Sequence, residues 1–284
     1  MVKFISVNEL KERLSGGQQS YVLADCRFLL NDPAAGEAVY AAGHIPGAVY
    51  VHLERDLSGP KRPDGAGGRH PLPDPSKLAV RLGSLGIGNG TTVIAYDDQG
   101  GAYAARLMWL LQWLGHDGER LIAAGGFAAW QASGGESSAA VPSPAAVQFT
   151  PHVQEGLAVD AAYVRERIGR SDVTIIDSRE APRYRGEIEP IDPKAGHVPS
   201  AINRFWKEGF DEDGMLKPAR SQLERFAGLA ADDEIIVYCG SGVTATPNFF
   251  ALQSAGFTNV KLYAGSWSDW ISYEGNAVAT GEEE

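Results

Sequence analysis

Residues Cys239-Gly240-Ser241-Gly242-Val243-Thr244 follow directly on the apolar run Ile235-Ile236-Val237-Tyr238. The run has the length and β-branched content of a buried strand, and a helical pattern starts near Val243. A tight glycine turn between a strand and a helix aims several backbone N–H groups at one point, where the helix dipole adds positive potential. A cysteine at that point is expected to stand largely as thiolate, the form that attacks as a nucleophile. Cys239 is therefore the candidate centre of chemistry.

The elements that must position this loop occur twice. Asp25-Cys26-Arg27 returns as Asp177-Ser178-Arg179, and Ala42-Gly43-His44-Ile45-Pro46-Gly47-Ala48 returns as Ala195-Gly196-His197-Val198-Pro199-Ser200-Ala201. Val93-Ile94-Ala95-Tyr96-Asp97 returns as Ile235-Ile236-Val237-Tyr238-Cys239, and Gly125-Gly126-Phe127 has its counterpart in Gly265-Ser266-Trp267. A repeat this long is a duplicated domain rather than a solenoid unit. The first copy carries extra residues before its third strand, in the Gly/Pro-rich stretch Ser58 to Pro75.

Strands are expected at Tyr21–Ala24, Thr92–Tyr96 and Arg120–Ala123, and again at Val173–Ile176, Glu234–Tyr238 and Val260–Tyr263. Helical patterns lie between them, at Leu78–Leu85, Ala102–Leu114, Gln222–Leu229 and Val243–Ala255. Alternation of this kind predicts the α/β class, with a mainly parallel sheet flanked by helices in each copy and ligands beyond the carboxyl ends of the strands. The domains are expected at 1–137 and 157–284, with 138–156 as an exposed linker rich in Ser, Ala and Pro. Where the second copy has Cys239 the first has Asp97, so one reactive centre per chain is expected, in the C-terminal domain.

At 284 residues and a formal charge of −11, the chain suits two domains and disfavours a nucleic-acid partner. No run approaches the roughly 18 apolar residues of a membrane helix, and residues 1–9 lack the apolar stretch of a secretory signal. The two cysteines, Cys26 and Cys239, fall far apart and make neither a metal-ligand pair nor a disulfide framework. A cytoplasmic location is the expectation.

Taken in order, these motifs resemble the tandem-domain rhodanese sulfurtransferases over nearly the whole chain. The resemblance implies two rhodanese-like domains, the first without the catalytic cysteine. It implies a sulfane sulfur passing from a small anionic donor to Cys239, giving a persulfide, and then to a thiol or cyanide. No metal or organic cofactor is implied, and the acceptor stays open among cyanide, thioredoxin and other thiols. The uncharged Cys-Gly-Ser-Gly-Val-Thr loop is similar to that of the mercaptopyruvate branch, so 3-mercaptopyruvate is the implied donor and thiosulfate the alternative. A persulfide would take hydrogen bonds from the loop amides, with Gly240, Gly242, Val243 and Thr244 as the binding residues. With no basic residue in the loop, the donor's charge falls to Arg183 and Arg179. Arg183 matches a carboxylate-binding arginine of the family, whereas Arg179 reads equally as an ion partner of Asp177. The branch also pairs its loop serine, here Ser241, with a histidine and a carboxylate from the first half of the chain. His70 and Glu54 match them, with Asp56 as the fallback. A second arginine of the branch, expected in the segment after Arg183, is missing beyond Arg185.

Other readings are weaker. A cysteine phosphatase or arsenate reductase would need arginine at position 245, which is Ala245. Gly86-Ile87-Gly88-Asn89-Gly90 precedes a strand instead of following one, so it is a turn and no dinucleotide fingerprint. His44 and His197 recur in both copies, including the one without the nucleophile, which argues for structural hydrogen bonding. A persulfide carrier or sensor without turnover remains the non-enzyme reading.

Overall fold

Two five-stranded sheets, each wholly parallel, organise the chain in the computed structural model, which describes residues 1–16 and 21–282. The first holds β1 (Lys3–Ile5), β2 (Tyr21–Asp25), β3 (Val49–Tyr50), β4 (Thr92–Tyr96) and β5 (Arg120–Ala123) in the order β1-β5-β4-β2-β3. Its helices are α1 (Val7–Ser15), α2 (Ala35–Ala42), α3 (Pro75–Ser84), α4 (Ala102–Trp113) and α5 (Gly126–Ala132). The second repeats the pattern with β6 (Ala158–Val159), β7 (Val173–Asp177), β8 (Ala201–Asn203), β9 (Glu234–Tyr238) and β10 (Val260–Tyr263), ordered β6-β10-β9-β7-β8. Helices α6 (Ala161–Arg165), α7 (Ala181–Tyr184), α8 (Ala219–Arg225), α9 (Ala245–Ser254) and α10 (Ser266–Trp270) accompany it. The chain is of the α/β class, as its alternating pattern predicts.

The central strands are near-continuous apolar runs because both their faces are covered. Leu23, Ile94 and Leu121 fill one core with Tyr96, Phe127 and Trp130, while Ile175, Ile236 and Tyr263 fill the other with Trp267 and Trp270. Registers match between copies, with Asp25 beside Tyr96 and Asp177 beside Tyr238. Helix α9 is buried from Ala245 to Leu252, as an all-round apolar helix must be. It begins at Ala245 rather than Val243, with Pro247 in its first turn, where a missing N–H costs nothing.

Contacts divide the chain into Met1–Ser58, Pro73–Gln154 and Asp211–Leu216 on one side, and Gly59–Leu72, Glu155–Phe210 and Lys217–Glu284 on the other. Two segments thus depart from a simple succession of domains. The Gly/Pro-rich stretch before β4 packs as part of the second unit, and residues 211–216 as part of the first. Most of the residues expected as the exposed linker 138–156 are exposed, and residues 138–154 group with the first unit. Ser138 exchanges backbone bonds of 2.9 Å with His44, Val147 N–H donates to Gly83 O at 3.0 Å, and Gln154 N–H to Trp113 O at 2.7 Å. Phe149 is buried and stacks on the His116 ring.

His116 gives the first unit a pH dependence. Its Nε2–H donates to Thr91 O at 2.9 Å, while Nδ1 is buried without a hydrogen-bond partner among the described residues. Burial first, and the Arg120 charge second, lower its pKa from the ordinary 6.5 to about 4. The unfolded chain takes up this proton as pH falls below 6.5, whereas the native imidazole resists until about 4. Stability from this residue is therefore present above 6.5 and lost progressively toward 4. Urea unfolding at a series of pH values should show that His116→Gln flattens the acid limb of the first unit's stability; an unchanged slope would refute the assignment.

Candidate active site

Cys239 leaves the carboxyl end of β9, the middle strand of its sheet, and is buried to 1 % exposure. Its backbone N–H donates to Ser266 Oγ at 3.1 Å. The carbonyls of Cys239 and Gly240 accept from Trp267 N–H and Ser268 N–H, both at 3.0 Å, so the start of the loop is clamped to the first turn of α10. Gly242 has φ +73°, and a Cβ there would lie 2.1 Å from Ala264 O, so neither the turn nor the space admits a side chain.

The first copy shows what such a loop does with its amides. Asp97 stands at the matching place, and its carboxylate accepts from the N–H groups of Gln99, Gly101, Tyr103 and Ala104 at 2.7, 2.9, 2.8 and 2.8 Å. Gly100 there has φ +74°, the counterpart of Gly242. The repeat carries those four amides onto Ser241, Val243, Ala245 and Thr246; the last donates to Val243 O at 3.0 Å. In the first copy a carboxylate closes the loop, and in the second a sulfur heads it. Burial raises the Asp97 pKa, and the four N–H bonds counter it. The other cysteine, Cys26, is kept as a thiol: complete burial raises its pKa well above the ordinary value, and Asp97, Asp25 and Asp56 add to the effect.

The arginines divide into two roles. Arg179 donates from Nε and Nη2 to Asp177, from Nη2 to Gly196 O at 2.6 Å, and from Nη1 to Glu189 at 3.1 Å. Its side chain is 1 % exposed, and Arg27 makes the same contacts with Asp25 and Gly43 O in the copy without the nucleophile. Of the two roles the sequence leaves open for Arg179, these contacts are those of the ion partner of Asp177, which frames the site. Arg183, on α7, forks onto Glu189 through Nε and Nη2 at 3.1 and 2.7 Å and lies 3.5 Å from Asp192 Oδ2. Its Nη1 makes no hydrogen bond among the described residues and stands near Gly240.

Ser241 and His70 are brought together, with Ser241 Oγ and His70 Nδ1 at 2.8 Å and both side chains buried. Glu54 lies in the first unit, where its N–H donates to His52 Nδ1 at 3.1 Å. Asp56, the fallback carboxylate, accepts from Arg81 on both its oxygens at 2.9 and 3.3 Å and from His52 N–H on Oδ2 at 2.8 Å. His44 and His197 donate from Nδ1 to the carbonyls of Tyr40 and Tyr184 at 2.8 Å and stack on those rings, as structural histidines do.

Four residues escaped the sequence reading. Glu189 and Asp192 meet the arginines, Arg69 lies beside Gly240, and Ser266 holds the Cys239 amide. Ser266 adopts φ +56°, a left-handed conformation that costs a serine about 1 kcal/mol. Its counterpart is Gly126 at φ +60°, where a Cβ would come 1.8 Å from Asp97 O. A glycine in one copy facing a serine in the other was the available signal. Among the described residues, no group of three His, Cys, Asp or Glu is placed to hold a metal ion, and no helix is long and apolar enough to cross a membrane.

The Asp97 loop makes a thermodynamic test. Asp97→Ala leaves the three buried N–H groups of Gly101, Tyr103 and Ala104, and the part-buried one of Gln99, without their acceptor. It should destabilise the first unit by about 3 kcal/mol in urea unfolding, since each buried orphaned donor costs roughly 1 kcal/mol or more. A loss under about 1 kcal/mol would show that the amides do not depend on the carboxylate.

The Rhodanese-like domain family matches residues 6–133 and 160–273. A relative from Pseudomonas aeruginosa, named as a probable 3-mercaptopyruvate sulfurtransferase, is 45% identical over 289 residues, covering 99% of both chains. A thiosulfate sulfurtransferase of the same organism is 33% identical, over 85% of this chain and 87% of that one. The crystal structure of SseA from Escherichia coli, a 3-mercaptopyruvate sulfotransferase, superposes with a TM-score of 0.80 at 30% identity, covering 94% of this chain and 99% of that one. With two such domains accounting for most of its length, the chain belongs to the rhodanese family.

Proposed function

We propose that the second unit moves a sulfane sulfur from 3-mercaptopyruvate to a thiol or cyanide through a persulfide on Cys239. The family is one of sulfurtransferases, and relatives named for each of the two donors match this chain. The observation that carries the choice between them is the hydrogen bond between Ser241 of the Cys239 loop and His70.

The leaving groups differ in what they need. When the Cys239 thiolate attacks the sulfur of 3-mercaptopyruvate, the new S–S bond forms as the S–C3 bond breaks. The electron pair passes to C3 as the enolate of pyruvate. The donor's thiol proton must leave sulfur and reach C3, giving pyruvate and the Cys239 persulfide anion. A buried hydroxyl–imidazole pair supplies that transfer. Thiosulfate releases sulfite, which needs no proton, so a relay beside the nucleophile favours the carbon donor. In the second half-reaction, a thiolate or cyanide attacks the outer sulfur and the Cys239 thiolate is released.

The loop amides hold the negative sulfur in the manner of an oxyanion hole, with Gly240, Gly242, Val243 and Thr244 forming the turn. Arg183 receives the donor's carboxylate on its open Nη1. Glu54 is the carboxylate that the resemblance implies for the relay. Thioredoxin is one thiol that fits the acceptor role, and the cytoplasm suits two unbridged cysteines.

Initial rates with the two donors, under cyanide as common acceptor, test the reading. The wild-type protein should favour 3-mercaptopyruvate, and Cys239→Ser should form no persulfide and turn over neither donor while keeping its circular dichroism. Ser241→Ala should lower the 3-mercaptopyruvate rate about a hundredfold and leave the thiosulfate rate within a few-fold. Equal losses for both donors would remove the relay, and retained turnover by Cys239→Ser would remove the mechanism.

A further inference from the structure

Two guanidinium groups converge on the loop of Cys239, and one comes from a segment far away in sequence. A methyl group built on Gly240 would lie 2.9 Å from Arg69 Nη2 and 3.6 and 3.8 Å from Arg183 Nη2 and Nη1. Arg69 is placed firmly. Its backbone N–H donates to Ser268 Oγ at 3.0 Å, and the preceding Gly67 N–H donates to Asp269 Oδ1 at 2.7 Å. Both acceptors belong to the turn that also clamps Cys239. Arg69 Nη1 is paired with Asp192 Oδ1, whereas Nη2 makes no hydrogen bond among the described residues. Arg69 Nη2 and Arg183 Nη1 are thus two donors without acceptors at one spot beside the nucleophile.

The same spot carries two buried carboxylates. Glu189 is 3 % exposed and Asp192 4 %, against 15 % for Arg183 and 26 % for Arg69. Asp192 Oδ2 is buried, makes no hydrogen bond among the described residues and lies 3.5 Å from Arg183 Nη2, so this carboxylate sits between the two arginines. Two cations therefore face two anions, and these four side chains carry no net formal charge before any donor arrives. Each negative charge brought into such a poorly hydrated place adds a cost that the guanidinium donors must offset. One anionic group is met by the two open N–H donors, while a second adds repulsion from Asp192 and Glu189.

We propose that Arg69 is a second donor-binding arginine and that Asp192 limits the positive charge of the site, so that singly charged donors are selected over doubly charged ones. This inference rests on the sulfur-transfer reading above and adds a charge class to it. Asp192 is then a specificity residue that touches no donor atom and acts through both arginines.

The test is the ratio of kcat/KM for thiosulfate to kcat/KM for 3-mercaptopyruvate, measured on one preparation with cyanide as acceptor. A partial loss of fold lowers both values and leaves the ratio unchanged. Asp192→Asn should raise the ratio about tenfold. Arg69→Gln should raise KM for both donors and lower the ratio, because the dianion loses more than the monoanion. Ratios within twofold of wild type in both variants would overturn the proposal, and if Asp192→Asn does not fold, Arg69→Gln decides it alone. Mass spectrometry of wild-type protein treated with each donor separates this failure from the larger one. A Cys239 persulfide with unchanged ratios sinks only the charge selection, and no persulfide from either donor sinks the sulfur-transfer reading and the selection with it.

Discussion

The ion pair between Asp177 and Arg179 is the contact on which the site depends. It is buried on both sides, and burial alone would oppose charging either partner. Every direction around it is met by a polar group. Arg179 reaches Gly196 O in the loop before β8 and Glu189 in the loop after α7, and its guanidinium lies 4.8 Å from the centre of the Trp267 ring on α10. Asp177 also neighbours Tyr238, whose hydroxyl accepts from Val198 N–H at 3.1 Å and whose pKa is raised first by burial and then by Asp177. Tyr238 is the residue before Cys239. One saturated pair thus joins the ends of β7 and β9, the Gly-His-Val-Pro turn and the helix that clamps the nucleophile.

The first copy keeps this frame and lacks the chemistry, which separates what the fold needs from what the reaction needs. Asp25, Arg27, Tyr96 and Gly43 O reproduce the frame, with Tyr96 donating to Asp25 at 2.8 Å. A carboxylate then closes the Asp97 loop permanently, because four amides already have their anion. A sulfur at the same position can gain and lose a negative outer atom, and the amides serve it only while the charge is present. The most direct difference between the two loops is the side chain at the strand end, a carboxylate in one and a thiol in the other.

Much of this was legible because the chain is its own alignment. The duplicated motifs located the strand ends, and Asp97 opposite Cys239 pointed to one candidate reactive centre. The hydrogen-bonded partnership of Ser241 with His70 came only through the resemblance, since nothing in Arg69-His70-Pro71 marks it as more than a loop. The membership of residues 59–72 in the second unit was not legible at all, because contacts spanning some 200 positions, such as Gly67 to Asp269, leave no local periodicity. Helix α9 was placed two residues early because Val243 continues its apolar pattern, while the turn at Gly242 decides where helical bonding begins.

A net charge of −11 makes an anion-binding protein look improbable, and the site shows why the total is a poor guide. Within the loop, the attraction comes from backbone amides that carry no formal charge, and it acts over one bond length. Around the loop, arginines are matched by carboxylates so closely that the local sum vanishes, leaving direction rather than excess charge to do the binding. A site with surplus positive charge would hold any anion, including the sulfite or carboxylate product it must release. A balanced site with two aimed N–H donors holds a donor by geometry and lets the product go when the geometry is lost. On the proposed reading this arrangement favours turnover over tight binding, and the acidic residues beside Arg183 matter to it as much as the arginines do.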